Sequence, residues 1–230
     1  MILTVKKSLL SGSIRIPGSK SHTIRAVVIA SLAKGTSFIR NPMISEDTLS
    51  AVRSYRELGA AIDTRQTAQW MVDGTAGAIT SVGKTIDVSN SGTTLRLAAG
   101  SAALAPNSTK IVLTGDNQIQ SRPIGPLLDS LTELGAGAVS LNHNGCAPIE
   151  ISGKLKGGRT TIECFTSQYL SSLLLACPLA EGSTEINVSL LNEADYVKIT
   201  LDWLDDIPSG GHCRCPGCNP VAGLRSAEWR

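Results

Sequence analysis

The amino-acid sequence predicts an α/β (α+β) fold in which three copies of one αβ unit pack about a pseudo-threefold axis. Three apolar helical runs begin at small polar stretches, at Lys20, Ser91 and Ser167, which are 71 and 76 residues apart. The second helices of the first two copies end in matching Leu-Gly-Ala triplets, at residues 58–60 and 134–136, again 76 residues apart. This period is longer than that of solenoid repeats, so three similar units around one axis are expected.

Length and composition narrow the class of protein. The chain has 230 residues, enough for one large domain or two small ones. Hydrophobic residues make up 42% and aromatic residues only 3%, so the core must be aliphatic and base stacking is not expected. The net charge is +2 and Lys and Arg form no block, which argues against nucleic-acid and membrane partners.

No export or membrane segment is expected from the sequence. The apolar run at residues 1–5 is too short for a signal peptide, and no run approaches the ~20 apolar residues that a membrane helix needs. We therefore expect a cytoplasmic protein. Cys146, Cys164 and Cys177 stand apart from one another and are expected to be small buried thiols.

In the first copy, turn residues end each predicted element. A strand at 13–16 ends at a Pro-Gly-Ser turn, and the helix that begins at Lys20 ends at the Lys-Gly pair 34–35. The other elements predicted in this copy are a strand at 38–40, a helix at 48–58 capped by residues 45–47, and strands at 60–63 and 69–72 that form a hairpin.

The second and third copies repeat this order. The second has predicted strands at 85–88, 110–114, 138–141 and 149–151, and helices at 91–105 and 124–134. The third has predicted strands at 159–163 and 185–188, and helices at 166–180 and 195–204. We expect one domain at 1–207, with repeats at about 14–85, 86–158 and 159–207.

The two helices of each copy differ in polarity. The first helices are apolar nearly all round, as at residues 24–30, which places them in the interior. The second helices carry a charged face, as at 54–58, and are expected outside. Three buried helices side by side would bring three N-termini to one end of the domain. Because helix N-termini carry free N–H groups and partial positive charge, this end is a candidate anion site.

The stretch from Ser89 to Arg96 reads as a small polar turn between a strand and a helix N-terminus. Its glycine and hydroxyl residues suit a phosphate or carboxylate, although, taken alone, such a turn is usually just a helix cap. Four more candidates for anion contacts lie at or near predicted helix starts: Lys20, Arg122, Ser167 and Gln168. For each, a surface or capping role is the alternative.

Four segments together resemble the 5-enolpyruvylshikimate-3-phosphate synthase family. They are residues 18–25 (Gly-Ser-Lys-Ser-His-Thr-Ile-Arg), 90–96 (Asn-Ser-Gly-Thr-Thr-Leu-Arg), 122–123 (Arg-Pro) and 167–168 (Ser-Gln). The resemblance spans about residues 10 to 205. The related family that transfers enolpyruvyl to UDP-N-acetylglucosamine is less similar, because it has Lys-Asn where this chain has Lys20 and Ser21.

The resemblance implies both a fold and a reaction. Family members have two similar domains, each with three βαβαββ units around buried parallel helices. They condense shikimate 3-phosphate with phosphoenolpyruvate in the cleft between the domains and release phosphate. No metal or organic cofactor is expected, and glyphosate is expected to occupy the phosphoenolpyruvate site.

The resemblance also implies roles for matched residues. Lys20 would contact both substrates and favour the charge that develops on phosphoenolpyruvate, and Arg122 would clamp the anionic groups of phosphoenolpyruvate, so both are assigned to catalysis. Gly92 would lie against phosphoenolpyruvate. The residues expected to bind shikimate 3-phosphate are Lys20, Ser21 and Arg25 near the ring, Thr166, Ser167 and Gln168 at the 3-phosphate and ring, and Tyr196 nearby.

Two regions depart from the family pattern. The usual Thr-Ala-Met-Arg-Pro run is here Thr-Thr-Leu-Arg-Leu. Three positions are changed, and of these Thr94 and Leu97 are the ones expected to matter beside the inhibitor site, which leads us to hypothesise altered glyphosate sensitivity. A serine that binds the 3-phosphate in some members is replaced by Glu193. Because an acid beside a phosphate is unfavourable, either Glu193 points away or that contact is lost.

The resemblance covers one domain of a two-domain family. The acidic base, a second lysine and further arginines of the family belong to the other domain. We therefore expect this chain to supply the shikimate-3-phosphate-binding half of the cleft, with a complementary C-terminal domain as partner. The alternative is a non-catalytic anion-binding domain or an inactive fragment.

The tail at 208–230 is rich in Cys, Gly and Pro and is expected to be disordered. His212, Cys213, Cys215 and Cys218 also suggest a zinc site. A single cluster without a second ligand pair is weak support for zinc, and no metal is assigned.

Overall fold

The computed structural model describes residues 2–9, 11–14, 16–80, 83 and 85–205. The helices within them are α1 (Lys20–Leu32), α2 (Glu46–Glu57), α3 (Gly92–Ala102), α4 (Gly125–Glu133), α5 (Ser167–Ala176) and α6 (Ala194–Asp205). The strands are β1 (Lys34–Arg40), β2 (Ala61–Asp63), β3 (Gln69–Thr75), β4 (Thr85–Asp87), β5 (Lys110–Thr114), β6 (Gly137–Ser140), β7 (Ile149–Ser152), β8 (Gly158–Cys164) and β9 (Thr184–Leu191).

The first copy contributes α1, β1, α2, β2 and β3. Its sheet has the order β1-β3-β2, and both strand pairs are antiparallel, which confirms the predicted hairpin of β2 and β3. Helix α1 begins after Ser19, whose side chain accepts from the backbone N–H of His22. Residues 23–32 of α1 are all buried, as expected for a helix with no polar face.

The strand predicted at 13–16 is wrong for the described residues of that segment. Residues 13, 14 and 16 belong to no strand. The side chains of Ile14 and Ile16 are 84% and 76% exposed. A strand needs a neighbour for its N–H and C=O groups, and no described strand pairs with this segment.

The second copy shows the complete βαβαββ order. Its sheet has the order β4-β5-β7-β6. Strands β4 and β5 are parallel because helix α3 forms the crossover between them, whereas β5–β7 and β6–β7 are antiparallel. Strand β5 has the bounds predicted from the sequence.

The third copy contains β8, α5, β9 and α6, and β8 pairs with β9 in parallel. Helix α5 was expected to reach residue 180 but ends at Ala176. The chain tightens there into a 3₁₀ turn, Cys177–Leu179. Pro178 causes the change, since proline has no N–H for the helical hydrogen bond and clashes with the preceding turn.

Helices α3 and α5 cross in the core with their backbones close together and run parallel. Ser172 Oγ donates to the carbonyl oxygen of Arg96 at 2.6 Å. One turn further along α3, a Cβ on Gly100 would press on the side chain and backbone of Ser172. Near the start of both helices, Arg96 Nη1 donates to Gln168 Oε1 at 2.9 Å. The two N-termini therefore lie at the same end of the domain.

Some sequence predictions stay untested by this structure. Residues 206–230 lie outside the described part of the chain, so the disordered tail and the zinc site remain predictions. The division into a domain at 1–207 with three repeats also remains a prediction. Among the described residues, no helix is both long and apolar enough to cross a membrane.

Candidate functional site

The start of α3 is capped by its own sequence. Ser91 has an extended backbone with φ −93°, and its side chain accepts from the backbone N–H of Thr94 at 3.4 Å. The Thr94 hydroxyl lies 2.8 Å from the Ser91 hydroxyl, and both residues are buried. Capping is therefore one role of this turn. One side-chain cap satisfies only part of the free N–H groups at a helix start, which leaves donors for an anion.

Two guanidinium groups converge on Gly92, the first residue of α3. A Cβ atom at this position would lie 2.8 Å from Arg96 Nη1 and 3.0 Å from Arg122 Nη1. The missing side chain is what gives both cations room beside the helix start. Like charges this close repel, and an anion between or beside them removes that repulsion.

Arg122 is the exposed member of this pair. Within the described residues, its guanidinium makes no hydrogen bond and no ion pair at bonding distance, although its charge is felt by Asp116 and Arg96. An arginine with a free planar fork is suited to bidentate binding of a carboxylate or phosphate.

Arg96 is the buried member and fixes the geometry of the site. Its Nη1 donates to the Gly92 carbonyl at 3.2 Å and to Gln168 Oε1 at 2.9 Å, and its Nη2 donates to the Pro123 carbonyl at 3.0 Å. The guanidinium carbon lies 5.5 Å from the ring centre of Tyr169, within cation–π range. Burial lowers the pKa of Arg96 from its usual value, but arginine remains cationic at neutral pH.

Lys20, at the first position of α1, has an acidic partner. Its Nζ lies 3.3 Å from Asp47 Oδ2, and the two side chains are 47% and 33% exposed. An ion pair this exposed contributes little to stability. Its effect is to hold the Lys20 amine near the start of α2, and the amine keeps donors free for a ligand.

Arg25 differs from the other cations because its donors are already used. Nε donates to Thr200 Oγ1 at 2.7 Å, and Nη2 donates to Ser171 Oγ at 3.1 Å and to the Tyr196 carbonyl at 3.0 Å. Nη1 donates to the Ser21 carbonyl at 3.2 Å. Burial lowers the pKa of Arg25 to about 10, against a smaller opposing effect of Tyr196. The side chain joins α1, α5 and α6.

The start of α5 carries the hydroxyl and amide groups predicted for phosphate. Gln168 already accepts from Arg96. Thr166 and Ser167 donate to a carboxylate oxygen of Glu193. Of the two alternatives for Glu193, pointing away is therefore wrong, since the side chain turns toward the predicted phosphate position.

Comparison with known proteins decides the family. A family model described as EPSP synthase (3-phosphoshikimate 1-carboxyvinyltransferase) matches residues 5–208. The chain belongs to the EPSP synthase family. The match covers the three copies and every site residue described above.

Curated relatives agree with this assignment, and solved structures share the fold. The 3-phosphoshikimate 1-carboxyvinyltransferase of Acetivibrio thermocellus is 52% identical over 207 residues, which are 90% of this chain and 48% of the relative. That of Methanothermobacter thermautotrophicus is 45% identical over 212 residues, covering 89% and 48%. The EPSP synthase structure from Acinetobacter baumannii shares the fold, with a TM-score of 0.75 at 24% identity over 91% of this chain and 46% of that chain. The chain thus spans about half the length of the curated relatives it matches.

The fold predicted for the EPSP synthase family is confirmed, and the site residues stay predictions. The structure brings together Gly92, Arg122 and Gln168 through Arg96. It joins Ser21 and Tyr196 through Arg25. No hydrogen bond or ion pair in the described part of the chain links Lys20 to either cluster, and its partner is Asp47.

Sequence reasoning missed several residues that support this candidate site. Asp47 was read only as part of a helix cap, yet it pairs with Lys20. Tyr169 lies under Arg96, and Ser171 and Thr200 hold Arg25. Tyr169 and Ser171 follow the Ser-Gln motif on the same helix, which is the one signal that pointed to them. Nothing near Thr200 in the sequence indicated that it meets Arg25.

Proposed function

We propose that this chain supplies the shikimate-3-phosphate-binding half of an enzyme that transfers the enolpyruvyl group of phosphoenolpyruvate to shikimate 3-phosphate. The observation that carries this proposal is the pair of guanidinium groups of Arg96 and Arg122 at Gly92, adjoining the polar start of α5. The names of the relatives describe the same transfer to a phosphorylated shikimate. Two anionic substrates need two groups of fixed donors, and this end of the domain offers both.

The phosphoenolpyruvate side of the site is assigned to Gly92, Arg122 and Lys20. Arg122 binds a carboxylate or phosphate through its free fork. Lys20 contacts both substrates with its half-exposed amine and stabilises the negative charge of their anionic groups. Arg96 does not reach outward, because its hydrogen bonds hold it against Gly92, Pro123 and Gln168.

The shikimate 3-phosphate side is assigned to α1, α5 and α6. Thr166, Ser167 and Gln168 hold the 3-phosphate and part of the ring. Ser21 and Tyr196 lie at the ring, and the Tyr196 side chain is 46% exposed and therefore accessible. Arg25 acts there chiefly by fixing the backbone of both, since its nitrogens already donate to their carbonyl oxygens.

We propose that the whole reaction also needs the half of the longer relatives that this chain does not match. The curated relatives are about twice as long as the matched segment, and a complementary C-terminal domain would supply the remaining cations and the acid–base groups. The half-length match also favours a second candidate for the isolated chain, a non-catalytic anion-binding domain. A cytoplasmic location is part of the same proposal.

Ligand titration tests the proposed function. We expect calorimetry of the purified chain to show saturable binding of shikimate 3-phosphate, with phosphoenolpyruvate much weaker because half of its cationic clamp is missing. Phosphate release is expected when the chain is mixed with a complementary domain and both substrates. If shikimate 3-phosphate binds no better than shikimate, the proposal is refuted; if binding is normal but no mixture releases phosphate, the non-catalytic candidate is correct.

Replacing Gly92 with alanine is expected to weaken phosphoenolpyruvate binding about tenfold, because the new methyl group displaces two guanidinium groups from their anion-binding geometry. The nearest atoms to the new Cβ are Arg96 Nη1 and Arg122 Nη1. NMR titration of the wild-type and variant chains measures the change even at low affinity. Shikimate 3-phosphate affinity is expected to change far less.

Gly125→Ala is the matched control for this substitution. Gly125 is also the first residue of a helix, α4, and a Cβ there meets its nearest neighbour, the Cα of Gly145, at an ordinary 3.9 Å. This variant should bind both ligands like the wild type. Equal affinities for phosphoenolpyruvate in the Gly92 and Gly125 variants would show that Gly92 does not border that ligand.

Glyphosate response is proposed to change indirectly. Thr94 and Leu97 are both buried in α3, so neither side chain reaches a ligand in solution. Their effect must come through the position of the helix start and of Arg96. An inhibition constant measured on the reconstituted enzyme, compared with that of a glyphosate-sensitive family member, checks this, and equal constants would contradict it.

A further inference from the structure

The start of α5 is capped by a residue from elsewhere in the chain. The N-cap residues of α1, α2 and α3 are Ser19, Ser45 and Ser91, and each accepts an N–H of its own helix. Thr166, the N-cap residue of α5, accepts none. Its hydroxyl instead donates to Glu193 Oε2 at 3.1 Å. The Thr166 hydroxyl therefore donates to an anion and does not cap its own helix.

One carboxylate oxygen of Glu193 accepts three hydrogen bonds. Besides Thr166, Glu193 Oε2 accepts from the backbone N–H of Ser167 at 3.2 Å and from Ser167 Oγ at 3.0 Å. Desolvation alone would raise the pKa of Glu193, but the hydrogen bonds from Ser167 and Thr166 and the charge of Arg96 outweigh it and lower the pKa. The carboxylate is therefore ionised at neutral pH and satisfies the donors that a phosphate would use.

The backbone at Glu193 is shaped for this contact. Glu193 joins β9 to α6 and has φ +58°, a left-handed conformation that residues other than glycine rarely adopt. Its carbonyl accepts from the N–H of Tyr196 at 3.0 Å. Unfavourable backbone conformations persist where surrounding contacts over-determine them. The three hydrogen bonds to the side chain supply such contacts and direct Glu193 back to α5.

We propose that Glu193 is an internal competitor of the substrate phosphate, whose carboxylate occupies the phosphate position at the start of α5 until a ligand displaces it. The identity of that ligand rests on the proposed function. Two anions cannot share the Ser167 and Thr166 donors, so any phosphate group must first displace Glu193. A free inorganic phosphate gains too little to do so, whereas a phosphorylated ring adds contacts of its own. Glu193 thereby lowers the affinity of every phosphate ligand by the same factor, so that only a ligand with further contacts of its own binds tightly.

The test is calorimetry of the full chain with three ligands: inorganic phosphate, shikimate 3-phosphate and shikimate. In the Glu193→Gln variant, removal of the competing charge is expected to tighten binding of both phosphate ligands about tenfold, with no change for shikimate. Glu185→Gln, on β9, removes the same charge from an exposed ion pair with Arg159 of β8. This control should bind all three ligands like the wild type.

A second variant is needed because glutamine at position 193 could disturb folding or keep the hydrogen bonds to Thr166 and Ser167. Glu193→Gly removes the side chain and suits the positive φ, and its expected result is the same tenfold gain for the phosphate ligands. If both variants bind inorganic phosphate and shikimate 3-phosphate no more tightly than the wild type, the competitor role is overturned. If the variants gain inorganic phosphate affinity while no form of the chain prefers shikimate 3-phosphate to it, Glu193 competes as stated and the proposed substrate is wrong.

Discussion

Replacing Gly100 with alanine is expected to lower the free energy of unfolding by about 1–3 kcal/mol, the typical cost of overpacking a tight core. The new methyl group would press on Ser172 Oγ and on the Ser172 carbonyl oxygen 2.9 Å away. A backbone atom cannot move aside without separating α3 from α5. In an uncrowded helix the same change would stabilise by about 1 kcal/mol, because alanine is the better helix former. The sign of the effect therefore reports directly on the contact.

Urea unfolding followed by circular dichroism measures this change, and Gly125→Ala in α4 is again the control. A Cβ on Gly125 meets only ordinary contact, so that variant should be unchanged or slightly stabilised. Stabilisation by Gly100→Ala would show that the two helices are further apart than the structure has them. Because Arg96 and Gln168 pair across the same interface, the destabilised variant should also bind anions less well.

Replacing Arg96 with methionine is expected to weaken phosphoenolpyruvate binding at least about tenfold, through loss of the charge and of the fixed geometry beside Gly92. We also expect the free energy of unfolding to fall by about 2 kcal/mol, because the buried guanidinium makes charge-assisted hydrogen bonds that methionine cannot replace. Methionine retains much of the packing against Tyr169, which confines the change to charge and hydrogen bonding. NMR titration and urea unfolding measure the two effects separately.

Arg159→Met is the matched control for Arg96. Arg159 is 83% exposed, and its partner Glu185 is 67% exposed. Loss of an exposed ion pair changes stability by less than about 1 kcal/mol and should leave ligand binding unaltered. Equal behaviour of the two variants would mean that Arg96 contributes only general positive charge and does not organise the site.

Local sequence signals predicted most of the fold. Strand β5 has the expected bounds because alternation and turn residues agree there. The strand predicted at 13–16 had a suitable pattern but has no neighbour among the described strands. Strand β1 begins at Lys34, four residues before the predicted start, because pairing with β3 extends it through polar residues that have no strand pattern.

The candidate site was predicted less completely than the fold. Helix starts at Lys20, Ser91 and Ser167 were expected from caps and polarity; α1 and α5 begin at the expected residues, and α3 begins one residue later, at Gly92. The hydrogen-bond partners of the cations were not predicted. Contacts such as that between Arg25 and Thr200 join segments far apart in the chain, and no local sequence pattern indicates them. The direction of the Glu193 carboxylate was equally hidden, since it depends on a single backbone conformation between β9 and α6.

The Arg25 side chain joins the first copy to the third, and this contact affects the order in which the domain assembles. The contacts that join successive copies span increasing lengths of chain: Tyr55 to Ser101 spans 46 residues, Arg96 to Ser172 spans 76, and Arg25 to Thr200 spans 175. Loop-closure entropy rises with the logarithm of that length, which makes the last contact costlier than the first by about 1 kcal/mol. The first two copies are therefore expected to associate before the third docks. The groups proposed to hold shikimate 3-phosphate, on α1, α5 and α6, would be the last part of the domain to form.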